Sequence, residues 1–208
     1  MRVAGFYGRY QPQGGERKFL DTLKAETTIA ATGTIMDDSL NHIAQGADES
    51  ERVGRKCTIR SLHIRGYVLH DSGTNLAQTT DIARIIVYLD KQCNGAAATP
   101  ANILEDVTGT NGVVSFRSLQ ESGRFKILMD RTIVPASTAG AGDTGTGGGF
   151  GESYKPFQFH KRCFVPVEFS GATGAIAEIR SNNIGIMAIS QDGTAKLRYT
   201  ARIRYSDA

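Results

Sequence analysis

Lys196, Arg198, Arg202 and Arg204 occupy alternate positions of one stretch near the end of the chain, interleaved with Leu197, Tyr199, Ala201, Ile203 and Tyr205. Successive side chains of an extended strand face opposite sides, so this pattern predicts an apolar row backed by a cationic row. The cations would stand about 6.8 Å apart per two residues. Like charges lined up in this way repel and contribute little to folding. They suit binding: phosphates along a stretched single strand have a comparable spacing and supply the opposite charge. Carboxylates on neighbouring strands or subunits are the alternative partners. A second basic group, Arg2, Arg9, Arg17 and Lys18, lies among Phe6, Tyr7 and Tyr10. Guanidinium pairs with phosphate and aromatic rings stack on bases, so residues 1–17 read as a short basic-aromatic arm.

Reactive chemistry finds less support. Gly140-Ala141-Gly142-Asp143-Thr144-Gly145 fits the glycine spacing of a dinucleotide loop. That loop works only with a helix N-terminus behind it, and Thr146-Gly147-Gly148-Gly149 cannot open a helix. His42, His63, His70 and His160 stand in separate segments, with no close pair to hold a metal. Asp37-Asp38 and Asp48-Glu49-Ser50-Glu51 could assist calcium at a subunit contact, although a solvated acidic loop is the simpler reading. There is no Gly-x-Ser-x-Gly elbow and no phosphate-binding Gly-Lys-Ser/Thr motif. Neither an enzyme nor a cofactor is expected. Cys57, Cys93 and Cys163 are too few and scattered for a disulfide framework, so reduced, packed thiols in an intracellular setting are expected.

The elements that must position the cations are strands. Candidates are Lys18–Met36 (broken near Ala25), Cys57–His70, Ile82–Asp90, Arg124–Val134, Tyr154–Phe169, Ile184–Ser190 and Ala195–Tyr205. Each is rich in β-branched and aromatic residues and is bounded by Gly, Asn, Asp or Ser. In Ile82–Asp90, Ala83, Ile85, Val87 and Leu89 make one apolar face. In Arg124–Asp130, Phe125, Ile127 and Met129 do so, with Arg124, Lys126 and Asp130 opposite. Only Ala101–Val107 and Ser115–Ser122 look like short helical turns, and no helix long enough for a βαβ crossover separates the strands. The fold class is therefore all-β: two antiparallel sheets packed as a sandwich. The glycine-rich stretch 136–151 has no bulky anchor before Phe150 and reads as a surface loop. At 208 residues and a net charge of +3, the chain suits one soluble domain over residues 18–208. It permits a nucleic-acid partner without requiring one. No apolar run approaches a membrane span, and the N-terminus lacks the apolar core of a signal peptide.

Several ordered segments carry a family resemblance. Ala44-Gln45-Gly46 through Arg52-Val53-Gly54-Arg55-Lys56-Cys57-Thr58-Ile59 resembles capsid proteins of small circular single-stranded DNA viruses that encode a replication initiator. So do Asp90-Lys91-Gln92-Cys93-Asn94-Gly95-Ala96, Ser122–Thr132, Arg180-Ser181-Asn182-Asn183-Ile184-Gly185 and Ala201–Asp207. The resemblance implies an eight-stranded single jelly roll of two four-stranded sheets, similar to circovirus coats and that of the satellite of tobacco necrosis virus. It implies a homo-oligomeric icosahedral shell of about sixty copies. It further implies enclosed single-stranded DNA, residence in the virion, and assembly inside the host cell, the nucleus included. By the same analogy the last strand belongs to the sheet nearer the interior. The family usually begins with a long arginine-rich arm, whereas residues 1–18 here hold only four basic residues. Either the arm is truncated or packaging rests on the inner wall. The alternative function is a cellular jelly-roll module that binds sugars, disfavoured by the absence of Trp.

Overall fold

The computed structural model describes residues 17–70, 81–108, 111–135 and 154–207. The strands among these residues are β1 (Arg17–Thr28), β2 (Thr34–Asp37), β3 (Lys56–His70), β4 (Ala83–Asp90), β5 (Phe125–Ile133), β6 (Tyr154–Phe169), β7 (Ile179–Ser181), β8 (Asn183–Ser190) and β9 (Ala195–Asp207). Helix is limited to single turns, α1 (Pro100–Ile103) and α2 (Asn111–Val114), with a 3-10 turn at Ile176–Glu178. One sheet runs β1-β9-β3-β6-β7 and the other β2-β8-β4-β5. Every strand pairing is antiparallel, as expected of a jelly-roll sandwich.

Two expectations about the elements need correction. The sheets hold five and four strands rather than four each, because β7 pairs through Ser181 and Ile179 with the end of β6. The second helical turn lies at α2, before Ser115–Ser122. Within that stretch Arg117 bridges back to Leu104 and Ser118 bonds to Ile103.

The inner faces of both sheets form the main core, with Ile59, Leu62, Ile64, Ile85, Val87, Ile184, Ile186, Leu197, Tyr199, Ile203 and Tyr205 all buried. Gly66 in the middle of β3 makes room for this packing. A Cβ there would stand 2.4 Å from the Arg198 carbonyl oxygen and 2.7 Å from the Tyr199 Cβ.

The expected one-sided β4 is buried on both faces along its whole length. The segment between β4 and β5 folds back over the outside of the four-stranded sheet. It forms a second core of Ile86, Tyr88, Ala98, Ile103, Leu104, Val113, Phe125, Met187 and Ile189. The single apolar face expected for β5 is also split. Val87 opposes Met129 but Tyr88 opposes Ile127, so Leu128 is an extra residue in the ladder. A bulge of this kind turns the strand over. Phe125 and Ile127 then join the outer core, while Met129 joins the inner one.

Two bidentate ion pairs pin this outer layer. Arg84 donates to Asp130 through Nε and Nη2, both at 2.8 Å, and its Nη1 donates to the carbonyls of Val113 and Ser115. Arg124 reaches the buried Asp90 from Nε at 2.9 Å and Nη2 at 2.7 Å.

Two buried charges shape the loops. Asp81 caps the β8–β9 connection: its Oδ2 accepts from Ser190 Oγ, Thr194 Oγ1 and the amides of Thr194 and Ala195, and its Oδ1 from the amide of Asp192. Burial pushes its proton affinity up, but these donors outweigh burial and hold the carboxyl below the usual range. Arg52, fully buried, has no carboxylate on its guanidinium among the described residues. It donates to the carbonyls of Ile43, Gly54 and Gly171 and lies 4.1 Å from the centre of the Phe169 ring.

Candidate nucleic-acid interface

The alternation expected of β9 is present. Leu197, Tyr199, Ala201, Ile203 and Tyr205 are buried, and Arg198, Thr200, Arg202 and Arg204 are exposed, with Lys196 half-buried on the same side. Register carries this face across neighbouring strands. On β3, Ser61, His63, Arg65 and Tyr67 stand opposite Arg204, Arg202, Thr200 and Arg198. On β6, Arg162, His160 and Gln158 stand opposite Ser61, His63 and Arg65. On β1, Phe19, Asp21 and Leu23 stand opposite Arg204, Arg202 and Thr200. Lys196, Arg198, Arg202, Arg204, Arg65 and Arg162 thus share one open face on which the carboxylates of Asp21 and Glu26 are the opposing charges at its centre. Farther along, Glu168 is taken by Lys56 at 3.8 Å.

The two readings of the cationic row divide between its members. Arg202 has the neighbouring-strand partner: its Nε and Nη2 donate to both oxygens of Asp21 at 2.6 and 2.5 Å. The Arg202 hydrogen bonds hold the Asp21 carboxyl below the usual range, and Arg204 adds attraction at longer range. Arg198 interacts with Tyr67, whose hydroxyl donates to Glu26 at 2.7 Å. Arg202 is thus committed within the sheet, while Arg204, Arg65 and Arg162 line the surface beside it. A shallow hollow of about 410 Å³ is lined by Asp21, His63, Arg65, Thr200, Arg202 and Arg204.

His63 lies at the centre of this face. Its Nε2 accepts from Arg65 Nε at 3.2 Å and lies 3.2 Å from Gln158 Nε2. The His160 ring meets it edge-on at 5.6 Å. Burial, then the charges of Arg65, His160, Arg204 and Arg202, lower the proton affinity of His63. The four histidines are separate in sequence, but strand pairing brings these two together. No cluster of three metal-ligating side chains occurs among the described residues.

Arg17, His63, Arg65, His160 and Arg162 show how register extends what spacing alone reveals. Ser61, His63, Arg65 and Tyr67 already alternate with Leu62, Ile64 and Val68 in the sequence. That signal identifies a polar face on β3, but only pairing joins it to β9. Arg17, expected as the last residue of the arm, and Lys18, expected to open the first strand, are the first residues of β1. Arg17 is exposed, whereas Lys18 points inward, donating to the Glu51 carbonyl at 2.9 Å and meeting Asp207 at 3.3 Å. Lys18 is therefore buried and engaged within the subunit, unlike the exposed Arg17. Arg2 and Arg9, the arm's aromatics, and the glycine-rich stretch 136–151 with its dinucleotide-like spacing all lie outside the described residues.

Other expected features are placed as follows. Asp37 is engaged by Tyr199 and, at 3.4 Å, by Lys24. Cys57 and Cys93 are buried free thiols, with Cys57 pushed up to about 12 by burial. Cys163 is free and only partly buried.

A search of solved structures finds the crystal structure of the infectious bursal disease virus VP2 subviral particle, at 10% identity and a TM-score of 0.27. The alignment covers 100% of this chain but 37% of that one, and a likeness this weak carries no weight. No curated protein matches. The family model described as the satellite tobacco necrosis virus coat protein matches residues 12–208, nearly the whole chain. The chain belongs to the satellite tobacco necrosis virus coat protein family.

Proposed function

We propose that the protein assembles into a closed icosahedral shell of about sixty copies around single-stranded DNA, with the open face of the five-stranded sheet turned to the packaged strand. Membership of a coat-protein family gives the chain a structural role in a viral capsid and a place in the virion. The observation that carries the finer reading is the excess, among the described residues, of Arg204, Arg198, Arg65 and Arg162 over carboxylates on one face. Cations held this close by a rigid sheet need a counter-charge from outside the subunit, and a nucleic-acid backbone supplies a continuous one. DNA, rather than RNA, follows the resemblance of the segments around Arg52–Ile59 and Arg124–Thr132. The arm carrying Arg2 and Arg9 is proposed to add to this contact.

The test is the content of purified particles. Replacing Arg198 and Arg204 with Gln preserves the apolar row, so particles should form but carry less nucleic acid, with a lower ratio of absorbance at about 260 to 280 nm. Digestion of the extracted nucleic acid by DNase, with resistance to RNase, is expected. Unchanged nucleic-acid content would overturn the wall assignment, and RNase-sensitive contents would overturn DNA alone.

A further inference from the structure

We propose that this face binds unpaired bases, with Phe19 and Phe164 as stacking platforms on either side of the arginines. The inference rests on the reading that the face meets a packaged single strand, and it adds how that strand is held: through its bases as well as its phosphates. Both rings are on the surface of a protein with two large cores, Phe19 at 37% and Phe164 at 75% exposure. Each carries a guanidinium: Arg202 lies 4.9 Å from the centre of the Phe19 ring and Arg60 lies 5.2 Å from that of Phe164. Each guanidinium is anchored a second time, Arg202 by Asp21 and Arg60 by Ser206 Oγ at 2.9 Å. The rings and their cations are therefore held in place before any ligand arrives.

The backbone makes the second platform. Both ladders of β3 shift between Ile59 and Ser61: against β9 Arg60 is the extra residue, while against β6 the two residues Cys163 and Phe164 face Arg60 alone. A bulge re-aims a side chain. Here it brings Arg60 to Phe164, which falls in the matching irregular stretch of β6 between Arg162 and Val165. The first platform is in regular sheet. Phe19 opposes Arg204, Arg204 opposes Ser61, and Ser61 opposes Arg162, two residues before Phe164. One row therefore runs ring, arginine, serine, arginine, with a second ring beside its end. Three strand spacings of about 4.8 Å make it roughly 14 Å long, about two nucleotides of an extended strand.

Only a strand with free base faces uses this arrangement fully. Aromatic rings beside a cationic track bind single strands, because every base has a stacking face that a duplex keeps internal. A duplex could meet the arginines but not the rings. A second copy of the chain docking face to face would oppose the same cationic surface and be repelled, whereas a polyanion matches its charge.

The full-length subunit, held dissociated below its assembly concentration, is titrated with three probes. These are oligothymidylate, an abasic oligomer of equal length, and a duplex. Phe19→Leu and Phe164→Leu should each weaken oligothymidylate binding roughly 5- to 100-fold while leaving abasic affinity and the salt slope unchanged. Phe19→Tyr and Phe164→Tyr should retain binding, which separates loss of stacking from loss of fold. Equal weakening on the abasic oligomer, or no weakening on oligothymidylate, overturns the platform. Failed shell formation with intact oligothymidylate affinity overturns it too and makes the rings subunit contacts. If the parent protein shows no salt-dependent affinity for the abasic oligomer, the broader wall assignment fails first.

Discussion

The outer faces of the two sheets use arginine in opposite ways. On the four-stranded sheet, Arg84 and Arg124 each grip a carboxylate bidentately, and the segment between β4 and β5 seals over Ile86, Tyr88 and Met187. On the five-stranded sheet, among the described residues, no segment folds over the outer face, Arg202 alone has a bidentate partner, and Arg204, Arg65 and Arg162 face outward. The same residue type thus closes one face and leaves the other poised for an external anion. What differs is the supply of carboxylates and burial, which decide whether a guanidinium serves the fold or a ligand.

The strongest way to break this comparison is on the capped face. Arg124→Ala strands the buried Asp90 without its cation and should cost about 3 kcal/mol, read by denaturant unfolding of the subunit. Arg202→Gln on the open face removes an equally short pair, yet solvent screens it, and no measurable change in melting temperature is expected. Equal losses at both sites would erase the distinction.

Asp81→Asn should cost about 2 kcal/mol at neutral pH, because several hydrogen bonds to a charged acceptor become bonds to a neutral one. The carboxyl is depressed in the folded state, so its stabilisation is complete above the unfolded carboxylate range and is lost as pH falls through the folded value. Asp81→Asn should therefore lose less stability than the parent on acidification, as followed by thermal melts at a series of pH values.

On the open face, replacing both Arg198 and Arg204 with Gln should flatten the salt dependence of single-strand binding by roughly 0.7 per lost contact. An unchanged slope would remove these two from the phosphate track.

The smallest expected effect belongs to His63. Facing it are the guanidinium groups of Arg65 on β3, Arg202 and Arg204 on β9 and Arg162 on β6, beside the His160 ring and the neutral Gln158 on β6, with Asp21 beyond on β1. With its folded value lowered, the free subunit is favoured by the neutral ring above the ordinary histidine range, and that advantage fades as pH falls through the unfolded value. A bound polyanion reverses the surrounding field, so binding should take up a proton and tighten from about pH 7.5 to about 5.5. Anisotropy titrations at both pH values should show this tightening reduced in His63→Gln, and an identical pH dependence would exclude the ring.

Strands long enough to show a period were legible in the sequence. β6 occupies Tyr154–Phe169, the expected bounds, and β9 has the expected two faces. The three-residue β7 carries no period and needed its partner to be seen. The run Ile85-Ile86-Val87-Tyr88 hinted at two apolar faces on β4, but alternation cannot say what covers the second. The bulges at Leu128, at Arg60 and at Cys163–Phe164 reverse faces without changing composition, which is why Phe125 was grouped with Met129 and why Arg60 and Phe164 were missed. Of the site, β9's own row was readable. Its breadth was not, because Arg65, His63 and Arg162 join it through register, a property of pairs of strands.

Arg52 gives one corner of the sandwich an unusual tolerance. Its guanidinium binds backbone carbonyls of Ile43, Gly54 and Gly171, which do not titrate, and it stays protonated even with burial lowering its proton affinity. The junction of the 41–54 loop, the start of β3 and the turn after β6 is thus fastened through backbone carbonyls. A shell carried through an acidic compartment would keep this clasp closed after contacts like that of Asp81 had begun to let go.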